Sequence, residues 1–208
     1  PQASRHAGVY MVSGGLGSLG VLMSSWIQQY DSAPMWLLGR SGRSGPADVH
    51  MSRLRNGNAL LSTQRCDSSM QEEVTALQPD PQLRGYMHAS GILLGAIMAN
   101  LCLFRCRQVL AAKVPALAAM TTSLQLSAID SVVLFSSIAS QMGLAGQANY
   151  TAANAILDAA AAARQACGAP GGAVQWGAWA DGGMAARNHL ILRRIETMGF
   201  WVLAGVRY

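Results

Sequence analysis

The chain has 208 residues, of which 51% are hydrophobic and 12% are charged, and its formal net charge is +5. This length predicts one domain or slightly more, and the hydrophobic content excludes disorder as the main state. The charged fraction is well below the roughly 25% of an average soluble domain, which indicates that a ligand, a neighbouring domain or a partner covers part of the surface. Lys113 is the only lysine among the 15 basic residues.

The positive charge has two interpretations, a nucleic acid or a small anion. The arginines are scattered or occur in pairs and do not form one cluster, which favours a small anionic ligand and argues against nucleic-acid binding. No apolar window approaches the ~18 residues of a membrane span, and residues 1–8 lack the apolar run of a signal peptide. We therefore expect no membrane association and a cytoplasmic location, with a plastid as the alternative.

The four cysteines form no metal-binding or disulfide framework. Cys102 and Cys106 are one helical turn apart, but no histidine is near them in sequence to complete a metal site. Without a secretory signal, reduced thiols are the expected state. We therefore expect no metal.

Short apolar runs alternate with longer helical patterns along the chain. The runs that predict strands are 8–13, 35–38, 59–63, 85–89, 132–136 and 173–176. Most of them are almost continuously apolar, which is typical of strands covered on both faces. Helices are predicted at 19–30, 46–55, 69–77, 95–126 with a break near Pro115, and 149–167. This alternation predicts an α/β fold with a Rossmann-like, doubly wound parallel sheet and helices on both faces.

A glycine-rich segment, SGGLGSLG, follows the first predicted strand and precedes the first predicted helix. Within it, Gly15, Gly17 and Gly20 form a G-x-G-x-x-G pattern. Such glycines allow a sharp turn and let backbone N–H groups approach a pyrophosphate at the positive end of the following helix. A plain glycine-rich turn is the alternative. The pattern predicts nucleotide binding by Ser13, Gly14, Gly15, Leu16, Gly17, Leu19 and Gly20.

The end of the second predicted strand bears on the choice of nucleotide. An NAD-binding domain places an acidic residue there to hold the ribose 2′-hydroxyl, but this chain has Arg40 and Ser41, with Arg43 close by. A planar guanidinium suits a phosphate, so the sequence predicts NADPH in preference to NADH. A solvated loop arginine is the alternative. Asp67, after the third strand, is either a contact for the adenine amino group or a helix cap.

A serine, a tyrosine and an asparagine follow the fifth predicted strand. Ser137 ends that strand, and Tyr150 and Asn154 are spaced to share one face of the next helix. The tyrosine is a candidate general acid for a carbonyl, but its ordinary pKa of about 10 requires a nearby cation to stabilise the phenolate. Lys113 is the only lysine that can serve.

These motifs resemble those of one family. The matching segments are 13–20, LGRSG at 38–42, HASG at 88–91, Lys113-Val114, VLFSS at 133–137, GQANYTAAN at 146–154 and WGAWADGGM at 176–184. Together they are similar to the β-ketoreductase domain of modular polyketide synthases, within the short-chain dehydrogenase/reductase superfamily.

The resemblance implies a role for each candidate. It implies that Tyr150 protonates a ketone oxygen as hydride arrives from NADPH, and that Ser137 hydrogen-bonds the same oxygen. Lys113 would lower the tyrosine pKa and contact the nicotinamide ribose, and Asn154 would support a proton-relay water. The resemblance also places five residues at or near the cofactor: His88, Ala89, Gly91, Trp176 and Gly177. For His88 the favoured role is packing, and for Trp176 the alternative is a hydrophobic residue of the lid.

The implied substrate is a β-ketoacyl chain on the phosphopantetheine arm of an acyl carrier protein, with other synthase domains as further partners. We expect residues 1–208 to form a single NADPH-binding catalytic domain that is a fragment of a larger synthase. We expect the last helix and the last strand of the domain's fold to be missing from this chain. Stereochemical markers of the family are absent at 93–95 and at Met142, so the product configuration stays open. The alternatives are a fatty acid synthase or free-standing reductase, and a catalytically silent structural domain.

Overall fold

The structure is a computed structural model that describes residues 8–43, 49–57, 60–78, 80–179, 183–186, 189–197, 199 and 202–203. Its centre is one six-stranded sheet in which every neighbouring pair of strands is parallel. The strands are β1 (Val9–Ser13), β2 (Met35–Gly39), β3 (Leu61–Arg65), β4 (Leu83–His88), β5 (Ser131–Ser137) and β6 (Gly172–Trp176).

Helices fill the connections between the strands and continue after β6. They are α1 (Ser18–Asp31), α2 (Val49–Asn56), α3 (Gln71–Thr75), α4 (Leu103–Ala111), α5 (Val114–Ser123), α6 (Ala139–Met142), α7 (Ala148–Ala166), α8 (Gly183–Ala186) and α9 (His189–Thr197). The strand order is β3-β2-β1-β4-β5-β6. The predicted doubly wound parallel sheet is therefore confirmed. The chain reverses direction across the sheet between β1 and β4, which creates a crevice at their carboxyl ends.

Two hydrophobic clusters cover the two faces of the sheet. Successive β1 residues alternate between them, because Met11 packs with α5 and α7 residues while Val12 packs with α1 and α2 residues. Both side chains are fully buried. The strand ends that carry candidate site residues are thus held between two packed layers.

The two edges of the sheet differ from the sequence prediction. Four of the five β3 residues are exposed, and Val174 and Gln175 of β6 are exposed as well. Edge strands have one neighbour and less cover, so their side chains need not be apolar. The prediction that most strands are covered on both faces holds for the inner strands only.

The long helix predicted over 95–126 is wrong in its first part. Residues 101–102 and most of the segment before α4 lack regular structure, with one short 3₁₀ turn at Met98–Asn100. Side chains capture the backbone carbonyls that a helix would use: Asn149 donates to Leu94 O and Arg105 donates to Gly95 O. The predicted break lies at Lys113, since Pro115 occupies the first turn of α5, where proline is tolerated.

Candidate active site

The glycine loop forms a tight backbone turn between β1 and α1. Gly14 has φ +70°, and a Cβ on Gly20 would lie 2.5 Å from Gly14 O. Gly15 N donates to Leu38 O at 2.9 Å, which ties the loop to β2. In the part of the chain that is described, no side chain caps α1 at Gly17, so the first-turn N–H groups remain for a ligand anion.

A cleft runs from this loop across the carboxyl ends of β2 and β3. Arg40 and Arg43 are exposed at its rim. The Asp67 carboxylate accepts hydrogen bonds from Ser69 N–H at 3.0 Å and from the Ser69 hydroxyl at 2.7 Å, so it closes the turn before α3 while it also faces the cleft. Most of the predicted nucleotide-binding residues line this cleft: Gly14, Leu16, Gly17, Leu19, Gly20, Arg40, Ser41, Asp67, Ala89 and Gly91.

Three predicted cofactor residues lie behind the cleft wall. Ser13 and His88 are 0% exposed, and their side chains hydrogen-bond each other at 2.8 Å. Gly15 is buried where a Cβ would meet Val12 O and Leu37, so it permits the turn without facing the cleft. These residues support the cleft from within the core.

Three of the four catalytic candidates line an adjoining pocket at the carboxyl ends of β4, β5 and β6, whereas Asn154 is fully buried and is not part of its lining. Lys113, Ser137 and Tyr150 line it together with Trp176 and Gly177. The pocket and the nucleotide cleft adjoin each other, since they share five lining residues: Leu19, Ala89, Ser90, Gly91 and Met184. The structure therefore brings together residues that are far apart in sequence.

Tyr150 lies in the first turn of α7. Burial raises the pKa of its phenol above the ordinary value, and hydrogen bonding with the Ser137 and Asn154 side chains acts in the opposite direction. The lowering of this pKa by Lys113 stays a prediction. A phenol with a raised pKa keeps its proton at neutral pH, as an acid must before it protonates a substrate.

Lys113 is 3% exposed, and its Nζ donates to Phe135 O at 2.7 Å. Burial lowers the pKa of the ammonium from 10.5 to about 7, and the negative charge of Asp158 raises it in part. The Asp158 carboxylate also accepts hydrogen bonds from Ser140 Oγ at 2.5 Å and Gln175 Nε2 at 3.1 Å. The lysine therefore changes charge near neutral pH.

Asn154 is fully buried one turn beyond Tyr150. Its Nδ2 donates to Tyr150 O at 2.8 Å, while its Oδ1 has no partner among the described residues. The Ser136 hydroxyl donates to Asn154 O at 3.2 Å and fixes the helix to β5. The free Oδ1 is an acceptor that a bound water would satisfy.

Besides Tyr150, the Ser137 hydroxyl has two weak partners in the structure. Its Oγ accepts from Ala139 N–H at 3.2 Å and lies 3.4 Å from Trp176 O. A rotation about one bond would let it donate to a ligand oxygen in the pocket.

Sequence reasoning missed Asn149, which fastens the pocket. Its Nδ2 donates to Leu94 O at 3.1 Å and to Arg105 O at 3.3 Å, and its Oδ1 accepts from Tyr150 N–H at 2.9 Å. A polar residue directly before the candidate acid was the available signal. Asn149 thus fixes the start of α7 to the chain that leads into α4.

Neither a membrane-spanning helix nor a group of three or more metal-ligating side chains occurs among the described residues. Cys66, Cys102, Cys106 and Cys167 are all unbridged thiols.

The sheet order, the glycine loop and the pocket with Ser137, Tyr150 and Lys113 define a short-chain dehydrogenase/reductase, a class of nicotinamide-dependent oxidoreductases. Residues 8–181 match the family model described as "KR domain", and the chain belongs to this ketoreductase family.

Curated relatives are large synthases. The chain is 36% identical over 203 residues to polyketide synthase GfsA of Streptomyces halstedii, covering 95% of this chain and 3% of that protein. It is 30% identical over 207 residues to polyketide synthase PksN of Bacillus subtilis, covering 94% of this chain and 4% of that protein. The chain therefore spans a small fraction of the length of these relatives.

Solved structures agree in fold over almost the whole chain. A ketoreductase domain from the bacillaene assembly line superposes with a TM-score of 0.85 at 28% identity, covering 95% of this chain and 50% of that one. The PlmKR1 ketoreductase from the first module of phoslactomycin biosynthesis in Streptomyces sp. HK803 gives a TM-score of 0.86 at 30% identity, covering 96% and 47%.

Proposed function

We propose that residues 1–208 form a single NADPH-dependent catalytic domain of a polyketide synthase. The domain reduces the 3-keto group of an acyl thioester on an acyl carrier protein to a 3-hydroxyl. The observation that carries this proposal is the convergence of Lys113, Ser137 and Tyr150 in one pocket that adjoins the nucleotide cleft.

The residues present fit a dinucleotide. At Gly14 and Gly20 a Cβ would collide with neighbouring backbone, so the loop keeps the close-packed shape that admits a pyrophosphate. Arg40, Ser41 and Arg43 would hold the 2′-phosphate at the cleft rim, and Asp67 would face the adenine. Trp176 and Gly177 would border the nicotinamide. Once bound, the reduced nicotinamide supplies the hydride.

The chain's own residues supply the proton and orient the ketone. Tyr150 donates the phenolic proton to the ketone oxygen, and the Ser137 hydroxyl donates a hydrogen bond to the same oxygen. The ammonium of Lys113 would lower the pKa of the Tyr150 phenol, which favours the loss of the phenolic proton, and would hold the nicotinamide ribose. Asn154 would hold a relay water through its unpaired Oδ1, and that water returns a proton to Tyr150.

Part of the pocket wall suits an acyl chain. Its lining includes four apolar side chains that do not line the nucleotide cleft, namely Leu93, Met142, Leu144 and Trp179. Such a surface takes the acyl part of a thioester by burial and leaves the ketone as the polar group to be oriented. The proposed partners of the domain are the acyl carrier protein and the neighbouring synthase domains. Its proposed location is the cytoplasm.

The test is turnover of a β-ketoacyl thioester of pantetheine, followed by the loss of reduced-nicotinamide absorbance with NADPH and with NADH. We expect turnover with a lower KM for NADPH. Binding of NADPH without any turnover would contradict the proposed catalytic activity and would support a catalytically silent structural domain. Equal use of both nucleotides would contradict the role of Arg40. The chirality of the 3-hydroxyl product would give the configuration.

A further inference from the structure

A buried polar cluster lies beneath the point where the cleft and the pocket meet. It consists of Ser13 at the end of β1 and Tyr86 and His88 of β4, all 0% exposed. The Ser13 Oγ lies 2.8 Å from the Tyr86 hydroxyl and 2.8 Å from His88 Nδ1, and the Tyr86 hydroxyl lies 3.0 Å from the same nitrogen. The other ring nitrogen, Nε2, lies 3.0 Å from Lys113 O.

These distances assign the tautomer of His88. A backbone carbonyl only accepts hydrogen bonds, so Nε2 must carry a proton and donate it to Lys113 O. Nδ1 then has a lone pair that accepts from the hydroxyl of Ser13 or Tyr86. Burial and the charge of Lys113 lower the pKa of His88 from 6.5 to about 3, so the ring stays neutral across the working range of pH.

Lys113 is the residue that this bond restrains. It lies between α4 and α5, where its N–H donates to Leu110 O at 3.0 Å and its carbonyl accepts from Leu117 N–H at 3.0 Å. The bond from His88 adds an anchor on β4, and the bond from Nζ to Phe135 O adds one on β5. Lys113 thus lies at the break between α4 and α5, and hydrogen bonds connect it to the two inner strands β4 and β5.

The geometry points to His88 as a positioning residue that holds Lys113 in the catalytic pocket through the Nε2–H to Lys113 O hydrogen bond. Its effect on catalysis rests on the proposed function, whereas the hydrogen bond does not. This assignment differs from direct cofactor binding by His88, because a side chain with no exposed surface cannot touch a nucleotide in the cleft.

The first test needs no activity. Nitrogen NMR of the imidazole in the wild-type protein reports which ring nitrogen carries the proton. We expect a neutral ring with the proton on Nε2 that does not titrate between mildly acidic and alkaline pH. A proton on Nδ1, or a ring that becomes an imidazolium near neutral pH, would overturn the assignment.

The second test separates positioning from cofactor binding. His88→Phe removes both ring hydrogen bonds, and we expect kcat to fall about 10- to 100-fold at saturating NADPH with the KM for NADPH unchanged. His88→Gln, which retains an N–H donor at a similar reach, should restore most of kcat. A raised KM with kcat retained would show a direct cofactor contact and overturn the proposal.

Two further variants complete the test. Tyr86→Phe removes an equally buried hydroxyl from the Nδ1 side of the ring, and we expect lower stability with kcat preserved. In a Lys113→Ala background, His88→Phe should cost no further rate, because the effect passes through the lysine. An undiminished further loss would contradict this coupling. If wild-type protein shows no turnover, the proposed function fails, and the NMR result still decides the tautomer.

Discussion

Replacing Lys113 by methionine tests the electrostatic description of the pocket. Each pKa unit corresponds to about 1.4 kcal/mol. The depression of the Lys113 pKa from 10.5 to about 7 therefore corresponds to about 5 kcal/mol by which burial of the ammonium destabilises the folded state, an upper value because the structure relaxes around the charge. Methionine has a similar length and carries no charge, so Lys113→Met removes this cost together with the hydrogen bond to Phe135 O.

The sign of the pH dependence follows from linkage. The unfolded chain binds the Lys113 proton more tightly than the folded protein, so the free energy of unfolding of the wild type rises as pH increases from about 7 towards 10.5. Lys113→Met lacks this rise, and its advantage over the wild type is largest below pH 7 and shrinks above it. Urea unfolding of both proteins without cofactor across this window measures the difference. If the free energies of unfolding of the two proteins changed in parallel with pH, the lowered pKa of a buried Lys113 would be refuted.

Three further changes test other parts of the cleft and the pocket. Arg40→Ala should raise the KM for NADPH about tenfold or more and leave the KM for NADH unchanged, because only NADPH carries the 2′-phosphate; equal effects on both would exclude the contact. Gly20→Ala places a Cβ 2.5 Å from the loop backbone and should lower both the Tm, measured by calorimetry, and the NADPH affinity, measured by titration. The control Gly172→Ala has open space around the new Cβ and should leave both quantities unchanged. Asp158→Asn removes the charge that raises the pKa of Lys113, so the limb of the kcat profile that depends on this lysine should move to lower pH, and an unmoved limb would contradict that interaction.

The inner part of the fold was predictable because it depends on local patterns. Apolar runs alternate with helical stretches, and this alternation is enough to define a parallel sheet. A strand was predicted at 59–63, which overlaps β3, but the exposure of β3 and the irregular segment before α4 were not predictable in the same way. In that segment Asn149 and Arg105 bind the carbonyls of Leu94 and Gly95, and these partners lie too far along the chain for a local pattern to reveal them.

The site shows the same division. The sequence placed Ser137 at a strand end and Tyr150 on the next helix, and the structure brings both into one pocket with Lys113. The depth of a residue below the sheet edge is a property of the whole fold. The sequence grouped Ser13 and His88 with the cofactor residues and favoured packing for His88. The structure buries both side chains beneath the cleft, where His88 contacts the backbone of Lys113.

The central claim is that Tyr150 supplies the proton for ketone reduction. The direct measurement is kcat for reduction of a β-ketoacyl thioester by the wild type and by Tyr150→Phe, with NADPH binding measured on both. Loss of the phenolic proton donor should lower kcat about 10²- to 10⁴-fold while NADPH affinity stays the same. A Tyr150→Phe protein that binds NADPH and turns over at the wild-type rate would contradict the account.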